Sequence, residues 1–515
     1  MTATSNLIAR VAPRSNGDPL PISRRNGYSF PTNGSPFRTL KLQLAVPNSE
    51  NIWPVNYESG KEYLEAKIKA IAFNRTTPDR RQIAGDLCEK LDWLQSIDLE
   101  SSSDYILKLA QIVKATENRK ELIETLSFEK GGATSIFPGI GAAELFWMIS
   151  ELHDISHTFN KFSGSSAGAI LAACMAGRVP ASELCKICDL DFTNLPKHPE
   201  LLMQWVNDKL LIGYNRTTGK DFNGWITASH LKELGTKLYI PIGIEGSKLL
   251  GGYPQKKVFF LPDTLDGSNP NIEDIPIAWI VAASCNLRPL FGYSNCFLFK
   301  HPELTNNKEV YVVDPGVRPE NSLPLDIEMQ ALLKGRMGFS VGSTKSRTNL
   351  ETFTFGKNPS LPKRWVAASY DIACDGMNSL FNNNTIQRIQ RLGTSFLHVQ
   401  TTNKTYDPSK GKKIEVMTGT FAPPDDLRKL AHANFLLSID QLHEHLVDNR
   451  YLESRGTSGS NAFEIWNNEV KNASGKRAAK RYLEERGLHN NSSRASLIAR
   501  LSTRARNTLR SAATF

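Results

Sequence analysis

A serine between two glycines, in the run Gly164-Ser165-Ser166-Ala167-Gly168, is the feature that most restricts how this chain can fold. The residues before it, Thr158 to Ser163, have the character of a short strand, and Ala167 to Ala176 predict a helix of small residues. A strand that passes at once into a helix needs a sharp turn, and glycines remove side chains that would clash there. The pattern predicts that Ser166 stands clear of a sheet, with the positive end of a helix dipole aimed at it.

A second glycine-rich stretch, Lys130 to Ser135, follows a short strand predicted over Thr125 to Glu129. A helix predicted from Gly141 to Ile155 then leads to the strand before the serine. This strand–helix–strand order indicates a right-handed crossover and a parallel sheet. Neighbouring parallel strands end at one edge of a sheet, so we expect the glycine-rich loop beside the serine. Its candidate oxyanion donors are the backbone N–H groups of Gly131, Gly132 and Ala133.

Asp314 is a candidate general base, because it follows a strand predicted over Glu309 to Val313. A carboxylate in this position can take a proton from a serine, and it can equally cap or close a turn. A late histidine, His398 or His432, would give a Ser-His-Asp triad in the chain order of α/β-hydrolases. No local motif supports either histidine.

The seven cysteines indicate no disulfide framework, because their number is odd and their spacing is scattered. Cys185 and Cys188 form a CxxC pair, which is a weak zinc signal without a second pair or a nearby histidine. We therefore expect no metal, no cofactor and reduced thiols in a cytosol-like compartment, since no secretory signal opens the chain. No apolar run approaches the roughly 20 residues of a membrane-spanning helix, so membrane contact is expected only from the surface.

Composition and periodicity divide the chain into four predicted parts. Residues 1–58 form an irregular lead, with a strand expected over 40–46, and residues 59–124 form a helical arm. Residues 125–400 form an α/β domain, and residues 420–515 form a basic helical domain.

Further elements are predicted within the last two parts. In the α/β domain we expect additional strands over 238–245, 257–261 and 277–282, and helices over 201–211 and 227–234. In the C-terminal domain we expect helices over 425–451, 462–487 and 492–512.

Positive charge is concentrated at the end of the chain. The whole chain has 62 Lys+Arg and 52 Asp+Glu, a net charge of +10, whereas residues 471–515 hold 11 against 2, a net charge of +9. An apolar helix face flanked by arginines is typical of a helix lying on an anionic membrane, and a solvated bundle helix has the same pattern. Nucleic-acid binding is not expected, because no aromatic interleaving or known binding module accompanies the charge. The candidate membrane contacts are Arg500, Arg504, Arg506 and Arg510.

Four segments, in this order, carry a resemblance to a known family. They are Leu126 to Ser135; Gly164 to Gly168; Val281 to Ser284 before Pro289, Leu290 and Phe291; and Asp314 to Gly316 before Asn321 and Pro324. Together they resemble the oxyanion loop, nucleophile elbow, Ala-Ser segment and Asp-Gly segment of patatin-like phospholipases. The resemblance implies a three-layer α/β sandwich with a mostly parallel central sheet, and a phospholipase A or lysophospholipase activity.

The same resemblance implies a Ser-Asp dyad. Ser166 would attack the acyl carbonyl, Asp314 would accept its proton, and the loop from Gly131 to Ala133 would stabilise the oxyanion without a metal.

Three positions depart from the family pattern. Lys130 stands where the first glycine is usual, Thr134-Ser135 replaces a cation followed by glycine, and Pro315 replaces the glycine after the aspartate. These changes leave the nucleophile and the base in place. They also motivate an alternative, a catalytically degenerate patatin scaffold that binds a membrane or a partner.

The irregular lead, the additional C-terminal helices and the absence of a secretory signal resemble bacterial effector-type patatin-like phospholipases. That resemblance implies a soluble protein that associates peripherally with phospholipid membranes. It also implies delivery into a host cell without a cleaved signal, and activation there by a host protein such as ubiquitin or a small GTPase.

Overall fold

The fold is taken from a computed structural model. It describes residues 53–73, 79–97, 99–117, 123–131, 133–153, 159–189, 198–244, 275–286, 295–300, 309–315, 326–334, 336–342, 396–402, 404–407, 412–415, 424–448 and Lys480.

Helices and strands are interspersed along the described part of the chain. The helices are α1 (Tyr57–Phe73), α2 (Arg80–Ser96), α3 (Leu99–Glu117), α4 (Ala133–Leu152), α5 (Ala167–Ala176), α6 (Ala181–Leu184), α7 (Pro199–Thr218), α8 (Ala228–Glu233), α9 (Ile277–Ser284), α10 (Asp326–Leu333) and α11 (Pro424–Asp448). The strands are β1 (Ile123–Phe128), β2 (Lys161–Gly164), β3 (Lys237–Tyr239), β4 (Gly243–Ile244), β5 (Leu298–Phe299), β6 (Val310–Val313), β7 (Met337–Gly342), β8 (Phe396–Gln400), β9 (Lys404–Asp407) and β10 (Lys412–Glu415).

A five-stranded, all-parallel sheet lies at the centre of the fold, with the strand order β3-β2-β1-β7-β8. Every residue of β1 and β7 is buried, as is usual for parallel strands that are covered on both faces. The fold is therefore mixed α/β with a parallel central sheet, which confirms the fold class predicted at this level.

Helices cover both faces of this sheet. Phe339 of β7 packs edge-on against Phe146 of α4, with 5.8 Å between the ring centroids. The neighbouring Gly338 lies against the side chain of Glu328 on α10. Because successive residues of a strand face opposite sides of a sheet, α4 and α10 lie on opposite sides.

The helices before the sheet pack through the apolar faces that their periodicity predicts. Leu64 and Ile71 of α1 and Leu87 of α2 are fully buried. Helix α3 reaches across to α11, where the Tyr105 hydroxyl donates to the carboxylate of Asp440 at 3.2 Å. The helices of the predicted arm and the helix after the sheet are thus joined to one core, and the predicted domain boundaries remain predictions.

The strand predicted over 277–282 is wrong, because these residues form α9. The run from Ile277 to Ser284 is apolar on all sides and completely buried, so it shows neither the period of a strand nor that of an amphipathic helix. Pro276 stands at its N-cap position, where a missing N–H costs nothing. The strand predicted over 238–245 is divided into β3 and β4, with Pro241 between them.

The C-terminal helix predicted over 425–451 is confirmed as α11. Among the described residues, no helix combines the length and the apolar character needed to cross a bilayer. The strands predicted over 40–46 and 257–261, and the helices predicted over 462–487 and 492–512, lie outside the described residues.

Two glycines in helices test how tightly α4 packs on α11. A Cβ at Gly141 would overlap the backbone carbonyl of Ala431, whereas a Cβ at Gly85 of α2 meets nothing within 4 Å. We expect Gly141→Ala to lower the free energy of unfolding by about 1–3 kcal/mol through overpacking. Gly85→Ala, the control, should raise it by roughly 0.5–1 kcal/mol through helix propensity. Urea unfolding of the full chain measures both, and equal effects would contradict the tight α4–α11 contact.

Candidate active site

Ser166 lies at the junction between β2 and α5, in a strained backbone conformation. Its φ and ψ angles are 53° and −127°, and it is the N-cap residue of α5. Such a conformation costs a non-glycine residue on the order of 1–3 kcal/mol, and it persists only where the surroundings enforce it. The structure therefore has the sharp strand-to-helix turn that the glycine–serine pattern predicts, with Ser166 only 6% exposed.

The two glycines of the turn are required by close backbone approach. A Cβ at Gly164 would overlap the carbonyl of Gly168. A Cβ at Gly168 would lie 2.5 Å from the carbonyl oxygen of Phe128 and 2.6 Å from that of Glu129. The first turn of α5 thus sits directly on the end of β1.

The glycine-rich loop begins at this same edge of the sheet. Phe128 at the end of β1 is paired in register with Gly164 at the end of β2. Gly131 follows three residues later, is buried, and has a φ of 150°, a value that L side chains rarely adopt. Ala133 is the first residue of α4, and Gly132 lies outside the described residues. The structure therefore brings Gly131 and the start of α4 to the edge that carries Ser166.

Asp314 directly follows β6 and is 1% exposed. β6 pairs in antiparallel fashion with β4 and β5, in a three-stranded sheet that is separate from the central one. The backbone N–H of Asp314 donates to the carbonyl of Asn286 at 2.9 Å, and the Asn286 side chain donates to the carbonyl of Val312 at 2.7 Å. Asn286 therefore holds the chain on both sides of the β6 terminus.

One short segment connects the two candidate catalytic residues. At the end of α9, the Ser284 hydroxyl accepts the backbone N–H of Ser166 at 3.1 Å and donates to the carbonyl of Pro241 at 2.9 Å. Two residues later, Asn286 binds the backbone of Asp314. Three residues span at most about 7 Å between their outer Cα atoms. Ser166 and Asp314 are consequently anchored to the two ends of one turn.

Cys285, between these two anchors, does not compete as a nucleophile. Burial raises the pKa of its thiol well above the usual value, and the negative charge of Asp314 raises it further. The thiol therefore stays protonated at neutral pH, and the thiolate is the reactive form of cysteine. Asp314 itself is tied to this turn by its backbone bond to Asn286.

The roles of Ser284 and Asn286 are not apparent from the sequence. Ser284 ends the Ala-Ser segment of the family resemblance, which assigns it no bond, and Asn286 belongs to no motif. Ser166 lies 118 residues before Ser284, and Pro241 lies 43 residues before it. Asp314 lies 28 residues after Asn286, so no local pattern encodes these bonds.

Neither histidine considered for a triad lies at this site. His398 is on β8, where its ring Nδ1 lies 2.7 Å from the Ser340 hydroxyl, and burial lowers its pKa to about 4. β8 is three strands away from β2, a separation of about 14 Å at the usual strand spacing. His432 packs on the ring of Trp93, with 4.5 Å between centroids.

The CxxC pair and the C-terminal arginines are the other candidates from the sequence. The Cys185 thiol donates to the carboxylate of Glu144. Within the described ranges, no group of three or more His, Cys, Asp or Glu side chains is arranged to hold a metal ion. Arg500, Arg504, Arg506 and Arg510 lie outside the described residues.

No model of a known protein family matches the chain, and no curated protein matches it either.

The Ser284 hydroxyl should contribute measurably to stability. Ser284→Ala leaves the Ser166 N–H and the Pro241 carbonyl without their buried partner, which costs about 1–3 kcal/mol. Ser438→Ala is the matched control, because this buried hydroxyl donates only to Asn434 one turn back in its own helix. Removing such a bond has little effect. The midpoint of urea unfolding measures both variants, and a Ser284→Ala protein as stable as Ser438→Ala would show that the Ser284 bonds do not hold the turn.

Proposed function

We propose that this protein is a serine acyl hydrolase of the phospholipase A or lysophospholipase type, with Ser166 as nucleophile and Asp314 as general base. The observation that carries the proposal is the strained Ser166 backbone, held by Ser284 at one end of a turn whose other end anchors Asp314. A backbone strained at a cost of free energy is typical of functional sites. The patatin-like three-layer arrangement of the fold belongs to the same proposal.

The proposed reaction begins when the Ser166 hydroxyl oxygen attacks the acyl carbonyl carbon of a lipid ester. Asp314 accepts the hydroxyl proton, and the tetrahedral intermediate carries its negative charge on the former carbonyl oxygen. The carbon–oxygen bond to the leaving alcohol then breaks, and Asp314 returns the proton to that oxygen. Water hydrolyses the acyl-enzyme by the same steps, with Asp314 again as the base, and releases a fatty acid.

Backbone donors at the sheet edge would stabilise the oxyanion. The N–H groups of Gly131, Gly132 and Ala133 are the proposed donors, and the N-terminus of α5 adds a favourable dipole at Ser166. Pro315 has no N–H, so it contributes no donor beside the base. The burial of Asp314 supports its role, because little water competes for the proton that it must accept.

The proposed substrate is presented by a membrane surface. The basic C-terminal residues would attract anionic lipid, while the almost neutral body admits the acyl chain. Activation by a host protein remains part of the proposal and rests on the resemblance to bacterial effector phospholipases.

Substitution of either catalytic residue should abolish lipid hydrolysis. With mixed phospholipids, with and without host cell extract, we expect Ser166→Ala and Asp314→Asn to lower fatty acid release by about 1,000-fold or more. Ser165→Ala is the matched control, because its buried hydroxyl oxygen makes no hydrogen bond. His398→Gln should also retain activity.

Two results would reject the proposal in different ways. Equal release by the wild-type protein and Ser166→Ala under every condition would leave the alternative of a degenerate scaffold that binds a membrane or a partner. A strong loss in His398→Gln with a folded protein would instead favour a triad.

The basic tail should determine binding to anionic vesicles. Each arginine near an acidic surface contributes about 1 kcal/mol, so replacing Arg500, Arg504, Arg506 and Arg510 together by glutamine should weaken binding strongly. Sedimentation with anionic liposomes measures this, and neutral phosphatidylcholine liposomes are the control. Unchanged binding after truncation before Ser492 would show that the tail acts only as a bundle helix.

A further inference from the structure

A cavity of about 50 Å³ lies at the end of α5 that is remote from Ser166. Its lining includes Arg178, just beyond α5, Arg216 in the last turn of α7, and Glu151 in the last turn of α4. A helix of ten residues is about 15 Å long, so this cavity is well separated from the candidate active site. All the lining residues belong to described parts of the chain.

Arg178 has an unusual backbone conformation. Within the described residues, the non-glycine residues with positive φ are Ser166, at one end of α5, and Arg178, at the other, where φ is 56°. Glycine is the usual residue in such a left-handed position after a helix, because other residues are strained there. A non-glycine residue strained in this way is a candidate for a functional role of its side chain.

The Arg178 guanidinium lacks partners for part of its hydrogen-bonding capacity. Its Nε and Nη2 atoms are buried and make no hydrogen bond, and its central carbon lies 5.9 Å from the ring centroid of Phe162. Arg216 contributes another buried nitrogen without a hydrogen bond, Nη2, on a side chain that is 9% exposed. Buried donors of a charged group that are not satisfied are costly, so these nitrogens favour a ligand with acceptor atoms.

The carboxylates around the cavity are paired with other arginine atoms. Arg216 binds Asp79 through Nε and Asp86 through Nη1, the latter at 3.3 Å. Arg80 lies 3.9 Å from the Glu151 carboxylate. Within the described part of the chain, Arg178 forms no ion pair at salt-bridge distance, although Glu151 acts on it electrostatically.

Attraction to helix dipoles does not explain why these arginine nitrogens are buried without hydrogen-bond partners. The C-terminal ends of α4, α5 and α7 converge near the cavity, and arginines at helix C-termini are generally favourable. A guanidinium that served only this purpose would donate to the terminal carbonyls, whereas Nε and Nη2 of Arg178 donate to none.

We propose that this cavity binds a phosphate-sized oxyanion between the guanidinium groups of Arg178 and Arg216. Planar guanidinium groups bind phosphate through paired N–H donors. A water molecule needs about 10–15 Å³ of such a cavity, so the space accommodates a few water-sized atoms and fits one small oxyanion. Burial raises the pKa of the Asp79, Asp86 and Glu151 carboxyl groups, so proton uptake by one of them can offset the added negative charge.

Isothermal titration calorimetry of the full-length protein with sodium phosphate tests this site. Titration with sodium chloride at matched ionic strength is the reference. We expect saturable binding by the wild-type protein, and binding at least about ten-fold weaker in Arg178→Gly, which loses charged hydrogen bonds. Glycine suits the left-handed backbone, so this variant should unfold at a temperature no lower than the wild type. Arg81→Gln removes an exposed arginine that follows the cavity-lining Arg80 in the first turn of α2. This variant should bind phosphate as the wild type does.

A second arm distinguishes a free anion from a lipid headgroup. Vesicles of phosphatidylcholine with phosphatidic acid present a phosphate monoester at a surface. Equal vesicle binding by the wild type and Arg178→Gly would assign the cavity to a free phosphate, whereas Arg178-dependent vesicle binding that phosphate displaces would assign it to the headgroup.

The inference is overturned if the wild type shows no saturable phosphate binding, or if folded Arg178→Gly binds like the wild type. It is also overturned if Arg81→Gln weakens binding as much as Arg178→Gly, because the effect would then be general surface charge. None of these readouts uses Ser166, so the result is independent of whether the protein hydrolyses esters.

Discussion

The close contact between the start of α5 and the end of β1 is the constraint on which the candidate site depends. Gly168 rests on the backbone carbonyls of Phe128 and Glu129, with no room for a side chain. This contact places the first turn of α5 on the end of β1, which pairs in register with the end of β2, so Gly131 and Ser166 lie at the same sheet edge. The turn is held further by the bond from the Ser166 N–H to the Ser284 hydroxyl and by the bond from the Ser165 N–H to the Phe128 carbonyl.

Helix α5 also connects the two regions for which we propose functions. Its ten residues are all buried, and the strained residues Ser166 and Arg178 stand just outside its two ends. A short helix in a densely packed interior is a rigid connection between its two ends, because such an interior is hard to compress. The proposed oxyanion site and Ser166 lie at opposite ends of this one helix.

Sequence patterns over a few neighbouring residues predicted much of this arrangement. The glycine–serine run indicated the turn at Ser166, and the order of strand and helix indicated the parallel sheet. The strand before Asp314 was predicted in the correct place. The interpretation of 277–282 as a strand was wrong, because a short segment that is apolar on all sides has no period that separates strand from buried helix.

By itself, the sequence determined the local turn at Ser166 and the alternation of strands and helices, because both follow from neighbouring residues and their backbone preferences. Only the tertiary structure decided which distant residues meet there. Ser284 binds the Ser166 backbone from 118 positions away, and Arg178, just after α5, lines the same cavity as Arg216 of α7. Such encounters depend on how whole elements pack, and no periodicity within either segment encodes them.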